Sequence, residues 1–405
     1  MNKLRFILMV FCSSVILLVT TTVPAMAGGL YLSEFGSPSM GVADAGAQAV
    51  ASDASTAFHN PAGMTRIAGK ELMLTGGAIY SNVKFDSDSS TPIPGGNGGN
   101  AGGPSPLLGQ FYVHSLTERL KLGANLVTIS AGIFDYNDNW TGRYLNTEVT
   151  LITIAFNPTL AYRVTDRLSI GGGPQIWYGD LEFKVKAPPP IGRGEVEIDG
   201  DDIAFGYNLG AMFEISNRTR FGIKYQSEVE LKFTGNVEFR FPAISADAGI
   251  DTKFPLAQMI KASIYHELND QWALMGSVDW EDWSTFKNVN ISTGQGSLNM
   301  PRDWHDTYKF AAGVHYRPVD QWVLQLGFAY DTSPVDSDDR TPDMPIDRQI
   351  RYSMGAQYKW SENISLGSQF VYADYGDAKI RNNLLKGDYE RNDIFFFAVN
   401  LNWTF

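Results

Sequence analysis

Residues 395–405 read FFFAVNLNWTF, and the order of those side chains decides the fold. Phe395, Phe397, Val399, Leu401, Trp403 and Phe405 fall on one parity, while Asn400, Asn402 and Thr404 fall on the other. That is a period of two: a strand with one apolar face and one small or polar face. Upstream, Tyr308, Phe310, Ala312, Val314 and Tyr316 interleave with Thr307, Lys309, Ala311, Gly313 and His315. The runs from Trp322 to Tyr330 and from Ile350 to Trp360 repeat the pattern, and Trp272, Leu274, Val278 and Trp280 do so beside Ala273, Ser277 and Asp279.

A soluble antiparallel sheet alternates in the same way, so strand length and strand ends discriminate. The runs reach the roughly 9 to 11 residues that a tilted strand needs to cross a bilayer. Trp272, Trp322, Trp360, Trp403 and Tyr316 stand at their apolar ends, as in the aromatic girdle of a membrane barrel. Short polar turns occur at Thr117-Glu118-Arg119, Thr165-Asp166-Arg167, Ser216-Asn217-Arg218, Asn269-Asp270-Gln271, Val319-Asp320-Gln321 and Ser361-Glu362-Asn363. Each joins two strands, and one strand more at either end makes about 14. Longer loops lie between, such as Gly95 to Pro106 and Ser333 to Asp347. The expected fold is all-β: a transmembrane antiparallel β-barrel of about 14 strands, with turns in the periplasm and loops outside.

Composition agrees. The chain has 405 residues, 44% hydrophobic and 13% aromatic, which is too apolar for disorder. A formal net charge of -12 speaks against nucleic acid as a partner, since phosphate binding needs a basic face. Lys3 and Arg5 precede the apolar run Phe6 to Val19, and Ala25-Met26-Ala27 follows, so residues 1–27 read as a signal peptide. Bulky Phe11 before Cys12 excludes a lipoprotein site, and cleavage after Ala27 would leave a mature chain without cysteine. Beyond it, nothing approaches the roughly 18 apolar residues of a spanning helix.

Residues 28–67 differ from the rest. They are rich in Gly, Ala and Ser, too small-sided to fold alone and too apolar for a solvated tail. A barrel of about 14 strands is too wide for its own side chains to fill. The segment is therefore expected inside as a plug, or hatch, with residues 68–405 forming the barrel.

Particular residues carry a resemblance. Glu34-Phe35, Met40-Gly41, Ala43, Ala45-Gly46, Asp53-Ala54-Ser55-Thr56 and Asn60-Pro61-Ala62-Gly63-Met64 resemble the hatch of the FadL/TodX type of outer-membrane transporters of long-chain fatty acids and aromatic hydrocarbons. Trp140-Thr141-Gly142-Arg143-Tyr144, Asn157-Pro158, Trp283-Ser284, Asp331 to Pro334, Pro342-Asp343 and Asp347-Arg348 extend it over the mature chain. The resemblance implies a hatch-plugged barrel of 14 strands in the outer membrane. It implies capture of ligand on outer loops, binding beside the hatch N-terminus and lateral release through the wall. Members bend in the third strand, often near a Pro or Gly; here Leu120 to Gly132 offers Gly123 and Asn125, and the Ser130-Ala131-Gly132 end, but no Pro.

Candidate ligand contacts follow. Gly28, Leu30, Tyr31 and Phe35 lie where the family's ligand lies. By parity, Lys309 and Arg351 point into the lumen, because a cation on the lipid face near mid-membrane costs about 2 to 4 kcal/mol. Lys309 is either a lumen charge solvated or paired with an acid, or the counter-charge of a fatty acid carboxylate. Asn60, Pro61 and Ala62 suit a turn ending a short hatch helix, or a ligand contact. Val185, Ala187, Pro188, Pro189, Pro190 and Ile191 on one loop, and Phe239, Phe241, Pro242, Ala243 and Ile244 on another, form apolar patches that either collect ligand or bury each other.

Catalysis is not expected. His59, His114, His266, His305 and His315 lie on separate elements, and neither a hydrolase nor a metalloprotease motif is present. No metal and no cofactor is expected either. The expected partners are a hydrophobic small molecule, outer-membrane lipid and lipopolysaccharide, and the assembly machinery, with the protein a monomer. Uptake of long-chain fatty acids comes first and of aromatic hydrocarbons second; a general porin or a structural or adhesion barrel is the alternative of another class.

Overall fold

The computed structural model describes residues 31–188, 194–241, 244–293 and 296–405. The signal segment, Gly28, Leu30, Pro189, Pro190, Ile191, Pro242 and Ala243 lie outside the described residues.

Fourteen antiparallel strands form the wall. They are β1 (Lys70–Ser87), β2 (Pro104–Ser115), β3 (Leu120–Asp135), β4 (Glu148–Arg163), β5 (Leu168–Lys186), β6 (Glu195–Ser216) and β7 (Thr219–Gln226). β8 (Met259–Glu267), β9 (Trp272–Glu281), β10 (Thr307–Tyr316), β11 (Trp322–Asp331), β12 (Gln349–Lys359), β13 (Ile364–Asp374) and β14 (Lys386–Thr404) follow. β14 pairs with β13 on one side and with β1 on the other, from Glu71↔Thr404 to Ser87↔Gly387. The sheet is thus closed, which is how a sheet satisfies its backbone in lipid. All six short turns read from the sequence connect consecutive wall strands.

Two hairpins rise above the wall. Val229–Phe241 and Ile244–Leu256 pair with each other, and the first also pairs with β6. Asn288–Thr293 pairs with Gly296–Pro301 and with the first hairpin through Ile291↔Thr252.

Alternation assigns the two faces. On β10, Tyr308 and Phe310 are 45% and 49% exposed while Lys309 is 4% exposed. Trp272, Trp322, Trp360 and Trp403 stay exposed beside the short turns. At the opposite rim, Tyr352, Tyr372, Phe395 and Tyr80 follow one another in register across β12, β13, β14 and β1. Two aromatic rows bracket the apolar band, as at the two interfaces of a bilayer.

The described hatch, from Tyr31, fills the lumen. It contains 3-10 turns at Pro38–Val42 and Pro61–Arg66 and two one-turn helices, α1 (Ala47–Val50) and α2 (Thr56–His59). Helices this short are not stable alone, so the wall holds them. The small face of the strands makes the room: a Cβ on Gly222 of β7 would stand 1.8 Å from Gln48 O, and one on Gly327 of β11 would stand 2.1 Å from Val42 C. One sequence expectation is corrected here. Pro104 and Pro106, read as loop, belong to β2.

Candidate functional site

The hatch is tied to the wall by buried charges. Lys309 Nζ on β10 donates to Ser33 Oγ at 3.1 Å and to Asp44 Oδ2 at 3.4 Å. Arg351 on β12 has its Nε 2.9 Å from Glu34 Oε1 and also pairs with Asp331. Arg220 on β7 donates to the carbonyls of Ala49 and Val50, each at 3.0 Å, which caps the C-terminal end of α1. His59 packs between Asp44 and the hydroxyls of Ser37 and Ser39, its Nε2 3.1 Å and 3.0 Å from the two oxygens. Burial holds the His59 imidazole down to about 4 against the opposing pull of Asp44. It is therefore neutral near pH 7. Burial pushes the Asp44 carboxyl up, but the opposing charges, Lys309 foremost, more than offset this and hold it below the usual carboxylate range.

A narrow cavity lies beside the hatch N-terminus. Leu32, Phe35 and Phe58 of the hatch, Ile129 of β3 and Met259 of β8 give it apolar walls, and Lys224, Gln226 and Lys261 give it a polar end. About 20 Å³ is free, room for a water and not for an acyl chain. A ligand therefore enters only by displacing side chains, and those of the hatch are the ones not built into the wall. Tyr31 stands at the same place: its hydroxyl donates to Ala257 O at 2.6 Å, and its ring lies 5.1 Å from that of Trp283.

The wall is open next to this cavity. β2 and β3 pair from Ser115↔Lys121 only as far as Gly109↔Val127. β3 then bulges between Thr128 and Ser130 as it continues along β4. Ile129, the bulged residue, lines the cavity, and its carbonyl accepts from Leu32 N–H of the hatch at 2.8 Å. On the other bank, Ser81 N–H of β1 donates to Gly103 O at 3.0 Å. By ladder alternation, the odd-numbered backbone groups of β2 then point toward β1 and the even-numbered ones toward β3. Pro104 and Pro106 thus occupy positions whose N–H would face the seam, and proline has none to leave unpaired.

Residues 17–405 match the family model of outer membrane protein transport proteins (OMPP1/FadL/TodX). The chain belongs to this family. It is 24% identical over 429 residues to the long-chain fatty acid transport protein of Escherichia coli (strain K12), covering 94% of this chain and 95% of that one. It is 28% identical over 381 residues to the 47 kDa outer membrane protein of Pasteurella multocida (strain Pm70), covering 86% and 87%. Among solved structures, a Pseudomonas aeruginosa FadL homologue superimposes with a TM-score of 0.86 at 20% identity, over 94% of this chain and 100% of that one. The Ralstonia pickettii toluene transporter TbuX gives 0.71 at 18%, over 93% and 99%. The protein is an outer-membrane transport barrel and not an enzyme.

In this FadL/TodX barrel the sequence-derived candidates separate into groups. Tyr31 and Phe35 both line the cavity. Lys309 and Arg351 face the lumen as parity required, and both are already paired with hatch acids. Lys309 is not among the cavity's lining. Asn60 caps the second 3-10 turn through Ala62 N–H at 3.2 Å and donates to Gln48 O and Ala211 O. With Pro61 and Ala62 packed against Gly171, the motif forms a turn that fixes the hatch to β5 and β6 and does not line the cavity. Gly123 and Asn125 lie in β3, before the point where its pairing with β2 ends. Both positions are paired on both sides; a Cβ on Gly123 would press on Met64, and Asn125 donates to Ala57 O. The break comes beyond Val127, where pairing with β2 ends, and Ile129 at the bulge stands two residues past it. Phe239 and Phe241 stack 6.4 Å apart on the outer hairpin, each half-buried.

Sequence reading missed Ile129, the two prolines and Lys224. Pro was sought in the third strand, and it stands in the second. Among the described residues, no group of three or more His, Cys, Asp or Glu side chains is placed to hold a metal ion.

Proposed function

We propose that this barrel takes up long hydrophobic molecules across the outer membrane, long-chain fatty acids first and aromatic hydrocarbons second. The likeness to a long-chain fatty acid transport protein supports the first, and the shared fold with a toluene transporter keeps the second. Ligand collects on outer apolar residues, Phe239 and Phe241 among them. It then moves to the cavity beside Tyr31 and Phe35, where Gly28 and Leu30 complete the hatch N-terminus. From there it leaves sideways between β2 and β3. The observation that carries this is the juxtaposition at Ile129, which lines the cavity and stands two residues beyond the last β2–β3 pair.

Lateral exit suits the cargo, since each CH₂ kept out of water is worth about 0.8 kcal/mol. In this reading the signal segment is 1–27, the hatch 28–67 and the barrel 68–405. The barrel is a monomer set in outer-membrane lipid and lipopolysaccharide, and the C-terminal Phe405 is read by the assembly machinery. A general porin is not favoured, because the described hatch is buried along most of its length.

Uptake of labelled oleate against labelled toluene, in a strain lacking its own transporter, tests the reading. Oleate entry that depends on this chain is expected; toluene entry alone would move the substrate to neutral hydrocarbons.

A further inference from the structure

Two lysines line the cavity, Lys224 and Lys261, and their surroundings differ. Lys261 Nζ lies 3.6 Å from Asp279 and 3.8 Å from Glu281. Lys224 has no carboxylate within 4 Å among the described residues. Its ammonium, 2% exposed, donates to Phe58 O at 2.9 Å and stands 4.2 Å from the centre of the Phe58 ring. An ammonium has three donors. A carbonyl and a ring face stabilise it less than an anion does, and burying a charge without a counter-charge is costly.

We propose that Lys224 is the head-group cation of this site: the carboxylate of a long-chain monocarboxylate accepts from its Nζ, while the chain runs along Leu32, Phe35 and Met259 toward Ile129. This rests on the fatty acid reading above and names the residue that selects the acid over a neutral hydrocarbon. Lys309 and Arg351 are not free for the role, because Asp44, Glu34 and Asp331 already pair with them. Lys224 has no acid within 4 Å and faces the cavity; Asp44, which also lines it, is held by Lys309. Gln226, two residues along the same face of β7, lines the polar end beside it.

The test uses the purified full-length barrel and two ligands of equal chain length, oleate and oleyl alcohol. Lys224→Met should weaken oleate binding by about 10-fold to 150-fold, the range for a lost charge-assisted bond. It should leave the alcohol within about threefold, and Lys224→Arg should restore most of the oleate affinity. Lys309→Met, a hatch anchor, should shift both ligands alike. Unchanged oleate binding in Lys224→Met overturns the proposal, and so does an equal loss of both ligands, which would make Lys224 a prop for Phe58. A wild-type barrel that binds the alcohol but not oleate would show instead that the fatty acid reading is wrong, and the proposal falls with it.

Discussion

Acid should loosen the hatch, and His59 sets the window. Its imidazole is buried between Asp44 of the hatch and Lys224, Lys261 and Lys309 of the wall, and is held down to about 4 by burial. In an undocked hatch it returns to about 6.5. The undocked state therefore binds the extra proton first, so docking is strongest above pH 6.5 and weakens as pH falls toward 4. A drop of about 2.5 units at 1.36 kcal/mol per unit gives roughly 3 kcal/mol over the whole window. Asp44 acts in the same sense, since its docked value is lowered as well, and its contribution is lost only at still lower pH. Hydrogen exchange of residues 37–60 in the purified barrel, followed from pH 7.5 to 4.5, measures the docking directly. His59→Gln keeps a hydrogen-bonding group beside Ser37 and Ser39 but cannot titrate. Protection in the wild type should fall steeply with acid, while the variant's should fall much less. Parallel curves for the two proteins would mean that another group governs the hatch.

Further tests address the rest of the pathway. Deleting residues 30–65 while keeping the signal should turn a nearly silent barrel into a conducting pore in planar bilayers; an intact protein that already conducts like a porin would defeat the plug reading. Deleting Phe405 should lower the folded, heat-modifiable fraction in the outer membrane, and unchanged assembly would remove the C-terminal signal. Cysteines at Leu108 and Thr128, the next register step beyond the last β2–β3 pair, should stop uptake when oxidised and permit it when reduced, with oleate binding intact throughout. Cys12 is the single cysteine of the sequence and falls in the stretch read as a signal peptide, so residues 28–405 add no competing thiol. Uptake that survives oxidation would place the exit elsewhere.

The wall was legible because its signal is local. Parity within a dozen residues shows which face meets lipid, and the turn residues between runs count the strands. The same parity marks Lys224, since Phe221 and Ile223 face lipid on the same strand. Nothing local, however, distinguishes it from Lys309. That distinction depends on Asp44, which is 265 residues from Lys309 in the chain. Partners across the lumen arise from closure of the barrel and docking of the hatch, neither of which leaves a short-range pattern. The break in the wall was half legible. The third strand was singled out for a bend in its own residues, whereas the missing donors at the end of its pairing belong to Pro104 and Pro106 on its neighbour. A seam belongs to two strands, and the composition of one does not describe it.

That seam also gives Leu32 of the hatch a role. Lipid offers no hydrogen bonds, so each unpaired backbone group at mid-membrane costs several kcal/mol. On the β2 bank the two prolines remove donors that would otherwise face the gap. On the β3 bank the Ile129 carbonyl takes its bond from Leu32 N–H of the hatch instead of from β2. One backbone bond from the hatch therefore stands in for a bond that the β2–β3 ladder lacks at Ile129. Leu32 belongs at the same time to the lining of the cavity. A ligand that displaces Leu32 from the cavity would also withdraw the bond that satisfies Ile129, so filling the site and exposing the exit are coupled through one residue. The coupling needs no large motion of the barrel. It needs only that the hatch N-terminus be held more weakly than the wall, and one backbone bond against a continuous ladder meets that condition.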